Sequence, residues 1–109
     1  MSDEPTAARE HFGKIAPKFA EVTDLVLFGD VWQRSGLSPR DRSLVTVSAL
    51  IASYKPDELF FHMKRALENG VTWDELVEVV THLAFYAGWP SAHTATVALQ
   101  RIQDEQQSS

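Results

Sequence analysis

A glutamate and a histidine stand four residues apart in the stretch ELFFHMKRAL, which begins at Glu58. If this stretch is helical, Glu58 and His62 lie on the same face, because residues i and i+4 are neighbours on a helix. A carboxylate beside an imidazole raises the pKa of the imidazole and orients its ring, as a general acid or base requires. On a solvated helix surface the same pair would contribute only about 0.3–0.5 kcal/mol to stability. The spacing leaves both interpretations open, a catalytic pair and a surface ion pair.

A second histidine, His82, lies in the apolar stretch VVTHLAFYAGWP. Tyr86 follows four residues later, so the two side chains share a helix face and Tyr86 is a candidate hydrogen-bond partner. His82 is therefore either a satisfied core residue or part of a site. With Glu58 and His62 it could supply metal ligands, but the helical H-E-x-x-H and E-x-x-H patterns are absent from the sequence, and we expect no metal.

Arg34 is the candidate for binding an anion. It stands beside Trp32 in VWQRSGL, a connection broken by Gly36. A guanidinium there could bind a carboxylate through two parallel hydrogen bonds. The sequence contains no glycine-rich phosphate loop and no G-x-S-x-G nucleophile motif, so it offers no fingerprint of a nucleotide cofactor or of a serine hydrolase.

The composition excludes several classes of protein. The 109 residues carry a formal net charge of −5, which argues against a general nucleic-acid-binding protein. Cysteine is absent, so disulfides, thiolate metal sites and thiol redox chemistry are excluded. The N-terminal segment is polar, and no apolar run approaches the roughly 20 residues of a membrane span. We expect one cytoplasmic domain, residues 1–109, with no nucleic-acid or membrane partner.

Turn and cap signals divide the chain into helices that would position these side chains. S-x-x-D at Ser38 and T-x-x-E at Thr72 are capping-box patterns, Pro56 suits a first helical turn, and Asn69-Gly70 suits a helix end. No pair of strands with a hairpin turn is recognisable. The sequence thus predicts an all-α fold of five or six helices. The main predicted helices span about 17–28, 39–53, 56–68, 73–87 and the segment from 90 onward.

Two of these helices, about 39–53 and 73–87, are apolar on nearly all sides. A small monomer cannot bury both faces of two such helices. They lie either in the middle of the bundle or at a subunit interface, and we favour the interface.

Two long stretches, FGDVWQRSGLSPRDRSLVTVSALIA and ELFFHMKRALENGVTWDELVEVVTHLAFYAGWPSAHTA, resemble the carboxymuconolactone decarboxylase family over about residues 28–97. The resemblance implies an alkylhydroperoxidase D-like helical bundle that assembles as a trimer or hexamer. The family includes 4-carboxymuconolactone decarboxylase, which forms 3-oxoadipate enol-lactone and carbon dioxide in aromatic catabolism. It also includes alkylhydroperoxidase D proteins, which use a C-x-x-C…H motif.

The thiol motif of that second branch can be compared position by position. The family's histidine falls on His62, its two cysteines fall on Lys55 and Glu58, and its upstream acid falls on Ser43. A thiol peroxidase cannot work without a thiolate. The resemblance therefore implies the decarboxylase branch.

For that branch, the resemblance implies a small carboxylated lactone as substrate and no cofactor. The departing carboxylate is γ to an unsaturated lactone carbonyl, whose oxygen can accept the electron pair. We expect His62, oriented by Glu58, to donate the proton, while His82 and Tyr86 donate hydrogen bonds to the developing oxyanion. Arg34 is expected to bind a substrate carboxylate. The predicted pocket walls are Trp32, Phe61 and Trp89.

The segment before GDVW is shorter than the leader of the decarboxylases that the chain resembles. The first alternative is therefore a paralogous lyase, isomerase or hydrolase that acts on another small carboxylated or lactone compound. The alternative from a different class is a non-catalytic, ligand-binding oligomer that keeps the scaffold. Turnover of 4-carboxymuconolactone separates these possibilities.

Overall fold

A computed structural model describes residues 5–108, so the first four residues of the polar N-terminal segment and Ser109 lie outside the described residues. Six α-helices are present and no strand occurs between residues 5 and 108. The prediction of an all-α fold is confirmed. The described chain divides after Pro39 into two compact units.

The first unit consists of short helical segments. They are α1 (Ala7–Phe12), α2 (Pro17–Val22), a π-helical segment (Thr23–Phe28) and a 3₁₀ turn (Val31–Gln33). The predicted amphipathic helix over 17–28 has the observed span, but its second half is π-helical, which the prediction did not include. The wider turn carries an additional residue and is frequent at functional sites.

A buried carboxylate anchors α1 to the π-helical segment. Asp24 is only 4% exposed, and it accepts hydrogen bonds of 2.9 Å from the backbone N–H groups of Ala8 and Arg9. The rings of Phe12 and Phe19 stack at 5.0 Å between centroids. A buried carboxylate is stable when it accepts such bonds, so Asp24 determines where α1 begins.

The second unit, from Arg40 onward, contains four longer helices. They are α3 (Pro39–Ala52), α4 (Pro56–Glu68), α5 (Trp73–Ala87) and α6 (Trp89–Gln107). The predicted Thr72–Glu75 capping box is present, because each residue's backbone N–H donates to the other's side chain, at 3.1 and 2.9 Å. Asn69 ends α4, and Gly70 follows with a φ of 101°, a conformation that favours glycine. The predicted helix bounds in this unit agree with the observed ones to within one residue.

The core of the second unit is formed by apolar side chains from all four helices. Its largest fully buried apolar members are Val47, Ile51, Leu59, Met63, Leu76 and Ile102. Buried alanines of α6 let the neighbouring helices approach closely.

A polar contact at the surface joins α4 to α6. The Phe60 ring lies between Lys64 and Arg101, at 4.8 and 3.8 Å from its centroid, and Lys64 Nζ donates to Glu105 Oε1 at 2.8 Å. These contacts fix the helix that carries Glu58 and His62.

Large apolar side chains remain exposed on α5 and at the start of α6. Phe85 is 74% exposed, Tyr86 78% and Trp89 64%. No helix within residues 5–108 is long and apolar enough to cross a membrane. An exposed aromatic cluster of this kind is typical of a binding surface.

Candidate functional site

The first candidate pair lies on α4. Glu58 is exposed in the first turn, and His62 follows one turn later with a half-buried side chain and a buried Nδ1 atom. The Phe61 ring meets the His62 ring edge-on, with 5.1 Å between centroids and 84° between planes. The α4 pair is therefore partly shielded from solvent.

The surroundings of His62 favour a neutral imidazole. Burial lowers the pKa of His62, and the positive charge of Arg65 lowers it further, whereas Glu58 raises this pKa by a smaller amount. Glu58 thus raises the pKa of the ring as expected, but burial and Arg65 outweigh it and the net shift is downward. Because the ordinary value is about 6.5, His62 is mainly neutral at pH 7.

The second histidine lies on α5 and is exposed. The His82 and Tyr86 rings lie 5.0 Å apart between centroids, with 30° between their planes. This ring contact replaces the predicted hydrogen bond. Phe85 and Trp89 form an adjacent edge-on pair at 5.3 Å. The exposure of His82 excludes the interpretation as a core histidine and leaves the ring accessible to a ligand.

His82 also lines a groove between α3 and α5, which we call the α3–α5 groove. Its volume is about 340 Å³, which lies at the small end of the range for ligand sites. Apolar walls surround a few polar groups, the usual composition of a small-molecule site. The lining residues are Leu44, Ser48, Glu75, Glu78, Val79, His82 and Leu83.

The polar groups of the α3–α5 groove differ in how they are engaged. Glu75 caps α5 and forms an ion pair with Arg40 of α3. Hydrogen bonds from the Thr72 backbone N–H and then from Arg40 lower the pKa of Glu75, so this carboxylate is charged and held in place. Among the described residues, the Ser48 hydroxyl and the Glu78 carboxylate have no hydrogen-bond or ion-pair partner. These two groups are available to a ligand.

Of the predicted site residues, His82 lines the α3–α5 groove. Glu58 and His62 are not among the residues that line the α3–α5 groove. In the first unit, Arg34 is exposed and follows the 3₁₀ turn, while Trp32 stacks on Phe28 at 6.2 Å. The predicted residues thus lie in three places. These are α4 with Glu58, Phe61 and His62, the end of α5 and start of α6 with His82, Tyr86 and Trp89, and the first unit with Trp32 and Arg34.

The described residues do not suggest a metal site. Within residues 5–108, no group of three or more histidine, aspartate or glutamate side chains is placed to hold a metal ion. Glu75 of the α3–α5 groove already forms an ion pair with Arg40 and accepts a hydrogen bond from the Thr72 backbone N–H. The chemistry on offer at these positions is acid–base chemistry and hydrogen bonding.

Comparison with known proteins identifies the family of the chain. The model of the carboxymuconolactone decarboxylase family matches residues 17–101. The chain belongs to this family. It is 46% identical over 86 residues to 4-carboxymuconolactone decarboxylase of Acinetobacter baylyi, a match that covers 79% of this chain and 64% of that protein. It is 42% identical over 74 residues to a nitrosuccinic acid decarboxylase of Metarhizium robertsii, covering 68% of this chain and 52% of that protein. The matches therefore span less than two thirds of the length of these relatives.

The positions of the thiol motif have other roles in this member of the carboxymuconolactone decarboxylase family. Lys55 precedes the first turn of α4, and Glu58 is exposed on that turn. Ser43, at the position of the upstream acid, is buried, and its Oγ accepts a hydrogen bond of 3.0 Å from Asn69 Nδ2. Ser43 therefore ties α3 to the end of α4.

The structure adds two residues that sequence reasoning missed, Ser48 and Glu78. A signal for Glu78 was present, because E-x-x-x-H occurs twice in this family member, at Glu58–His62 and at Glu78–His82. Ser48 had no such signal, since its position in the groove depends on how α3 packs against α5.

Proposed function

We propose that this chain is a cofactor-free decarboxylase of the 4-carboxymuconolactone type, which forms 3-oxoadipate enol-lactone and carbon dioxide. The observation that carries the proposal is the 46% identity to the decarboxylase of Acinetobacter baylyi. The α3–α5 groove supports it, because its apolar walls suit a lactone ring and its histidine suits acid–base chemistry.

The proposed reaction needs no electron acceptor outside the substrate. The bond between the ring carbon and its carboxylate breaks, and carbon dioxide leaves. The bonding pair moves through the conjugated ring onto the lactone carbonyl oxygen, which gives a dienolate. The carbon next to that carbonyl then takes one proton, so the reaction consumes one proton and forms one carbon dioxide. The protein must stabilise the oxyanion and deliver the proton.

The proposed roles follow from these two tasks. His82 and Tyr86 donate hydrogen bonds to the developing oxyanion. His82 lines the groove, and the Tyr86 ring contacts the His82 ring. His62, with Glu58 one turn earlier, delivers the proton. Arg34 binds a substrate carboxylate.

Further walls of the site are proposed to be aromatic. Trp32, Phe61 and Trp89 are the side chains expected to exclude water from the substrate. Phe61 already contacts the His62 ring, and Trp89 contacts Phe85 beside the groove.

We propose that the site residues that do not line the groove reach the substrate when the chain assembles as a homo-oligomer, a trimer or hexamer. We also propose that the two units act as one domain. The exposed Phe85, Tyr86 and Trp89 support this assignment, because burying such side chains is favourable. His62 and His82 lie on different helices and only His82 lines the groove, so a neighbouring subunit would bring the second histidine to the substrate.

The fungal relative supports a second candidate substrate class. That protein is a nitrosuccinic acid decarboxylase. A nitro group accepts the electron pair left by carbon dioxide much as a lactone carbonyl does. The alternative for this chain is therefore a small carboxylic acid with another oxygen-based electron sink.

Direct turnover tests the proposal. Purified protein is incubated with 4-carboxymuconolactone, and in parallel with nitrosuccinic acid, while substrate loss and product formation are followed. We expect enol-lactone and carbon dioxide in equal amounts from the first substrate, with the exposed-surface variant His93→Gln as active as the wild type. Turnover of nitrosuccinic acid alone would select the second candidate. No turnover of either compound at high enzyme concentration would refute both.

A further inference from the structure

We infer that Ser48 and Glu78 complete the site around His82, with Ser48 as a hydrogen-bond donor to the developing oxyanion and Glu78 as the positioning residue for the His82 ring. The inference rests on the proposed function and deepens it. It starts from the fact that all three side chains line the same α3–α5 groove.

Ser48 differs from a hydroxyl residue near it on α3 and from one that directly follows α3. The hydroxyls of Thr46 and Ser53 donate to backbone carbonyls one turn earlier, at 2.8 and 2.7 Å. The half-buried Ser48 hydroxyl makes no such bond within residues 5–108. A hydroxyl that keeps its proton available beside the apolar walls of the groove is suited to bind a developing oxyanion.

Glu78 precedes His82 by one helical turn, so both side chains leave the same face of α5. Its carboxylate forms no hydrogen bond or ion pair within residues 5–108. A carboxylate that accepts the N–H of one ring nitrogen fixes the orientation and tautomer of the imidazole. The other nitrogen then faces the groove. Such hydrogen bonds often tighten only when substrate is bound.

Two acids line the groove, and Arg40 offsets the charge of one of them, Glu75. The apolar walls, Leu44, Val79 and Leu83, suit the ring of the ligand. A substrate that lies along these walls presents its carbonyl oxygen to Ser48 and His82, while its carboxylates point away from Glu78.

Kinetics of matched variants form the first part of the test. Ser48→Ala should lower kcat by about 100- to 1,000-fold and leave KM nearly unchanged, because an oxyanion donor acts mainly in the transition state. Glu78→Gln should lower kcat by about tenfold or more through misplacement of His82, and Glu78→Asp should recover part of the loss. The controls are Ser53→Ala, an exposed hydroxyl directly after α3, and Glu68→Gln, an exposed acid on α4. Both controls should keep wild-type rates.

The second part of the test does not require turnover. Histidine ring nitrogens are followed by NMR while the protein is titrated with the butenolide that carries only the acetate side chain and lacks the departing carboxylate. We expect the His82 signals to move in the wild type and the tautomer pattern of His82 to change in Glu78→Gln, with His93 unchanged. Weaker ligand-induced shifts are expected in Ser48→Ala.

The outcomes separate this inference from the proposed function. If the wild type does not decarboxylate but His82 responds to the ligand and to Glu78→Gln, the proposed reaction fails and the site assignment stands. If the wild type decarboxylates while Ser48→Ala and Glu78→Gln match their controls, the assignment is overturned and the function stands. If neither turnover nor a response of His82 is seen, both are overturned.

Discussion

The two E-x-x-x-H pairs of this chain share a spacing and differ in their surroundings. On α4, His62 is half-buried against Phe61, and burial together with Arg65 lowers its pKa despite Glu58. On α5, His82 is exposed, stacks on Tyr86 and lines a groove with an uncommitted glutamate one turn before it. Identical spacing thus produced one shielded histidine and one accessible histidine. Burial and neighbours across the helix, more than the i,i+4 acid, determine what each histidine can do.

Removing either histidine is the change with the largest expected effect. His62→Gln and His82→Gln should each lower kcat with 4-carboxymuconolactone by at least about a hundredfold, the low end for acid–base catalysis. His93→Gln serves as the control, since His93 is exposed on α6. An unchanged rate in one of the two variants would remove that histidine from the mechanism.

Mixing the two inactive variants sharpens the comparison. If neighbouring subunits bring His62 and His82 to one substrate, mixed oligomers of His62→Gln and His82→Gln contain some sites with both histidines. Dissociation and reassembly of the mixture should then recover a measurable fraction of wild-type activity. No recovery, with mixed oligomers verified by native mass spectrometry, would place both histidines of a working site on one chain.

The pH dependence of kcat and of stability tests the role of His62. Because the pKa of His62 is below its ordinary value, a proton-donor role requires kcat to rise as the pH falls below about 6.5. The unfolded chain binds this proton more readily than the folded chain. The stability associated with neutral His62 is therefore complete above that pH and declines below it.

The rise in kcat and the decline in stability at low pH should both be lost in His62→Gln. Profiles of kcat and urea unfolding between pH 5 and 8 measure them. Arg65→Gln removes a charge that lowers the pKa of His62, so it should move the rise in kcat to higher pH. A profile identical in the wild type and His62→Gln would contradict the proton-donor role.

Most of the helical framework was predictable, because its signals are local. Pro56, Asn69-Gly70 and the Thr72–Glu75 capping box determine where α4 and α5 begin or end, and each acts within a few residues. The π-helical segment over Thr23–Phe28 was missed, since one additional residue in a turn leaves the apolar spacing nearly unchanged.

The site was only partly predictable. The chemical types of His62 and His82 were visible in the sequence, but their burial was not, because it depends on which helix packs on which face. The same reason hid Ser48, which lines the same groove as His82 although the two residues lie on different helices.

The smallest expected effect concerns stability. Ser43 stands where the thiol branch places an acid, yet its hydroxyl is buried and bonded to Asn69. Ser43→Ala leaves the Asn69 side chain without this partner and should lower the free energy of unfolding by about 1–3 kcal/mol. Urea unfolding measures the loss, and kcat should be unchanged at temperatures where the variant is folded. A large loss of kcat with full stability would give Ser43 a catalytic role instead.

The most direct measurement of the central claim, that side chains of this protein deliver the proton after carbon dioxide leaves, is turnover of 4-carboxymuconolactone in deuterium oxide. NMR of the product from the first turnovers, recorded in a chiral aligning medium that resolves the two mirror-image CHD groups, should show one deuterium on one face of the carbon next to the lactone carbonyl, with one carbon dioxide released for each product. Equal labelling of both faces would mean that water protonates a released dienolate. That result, or the absence of carbon dioxide, would contradict the account.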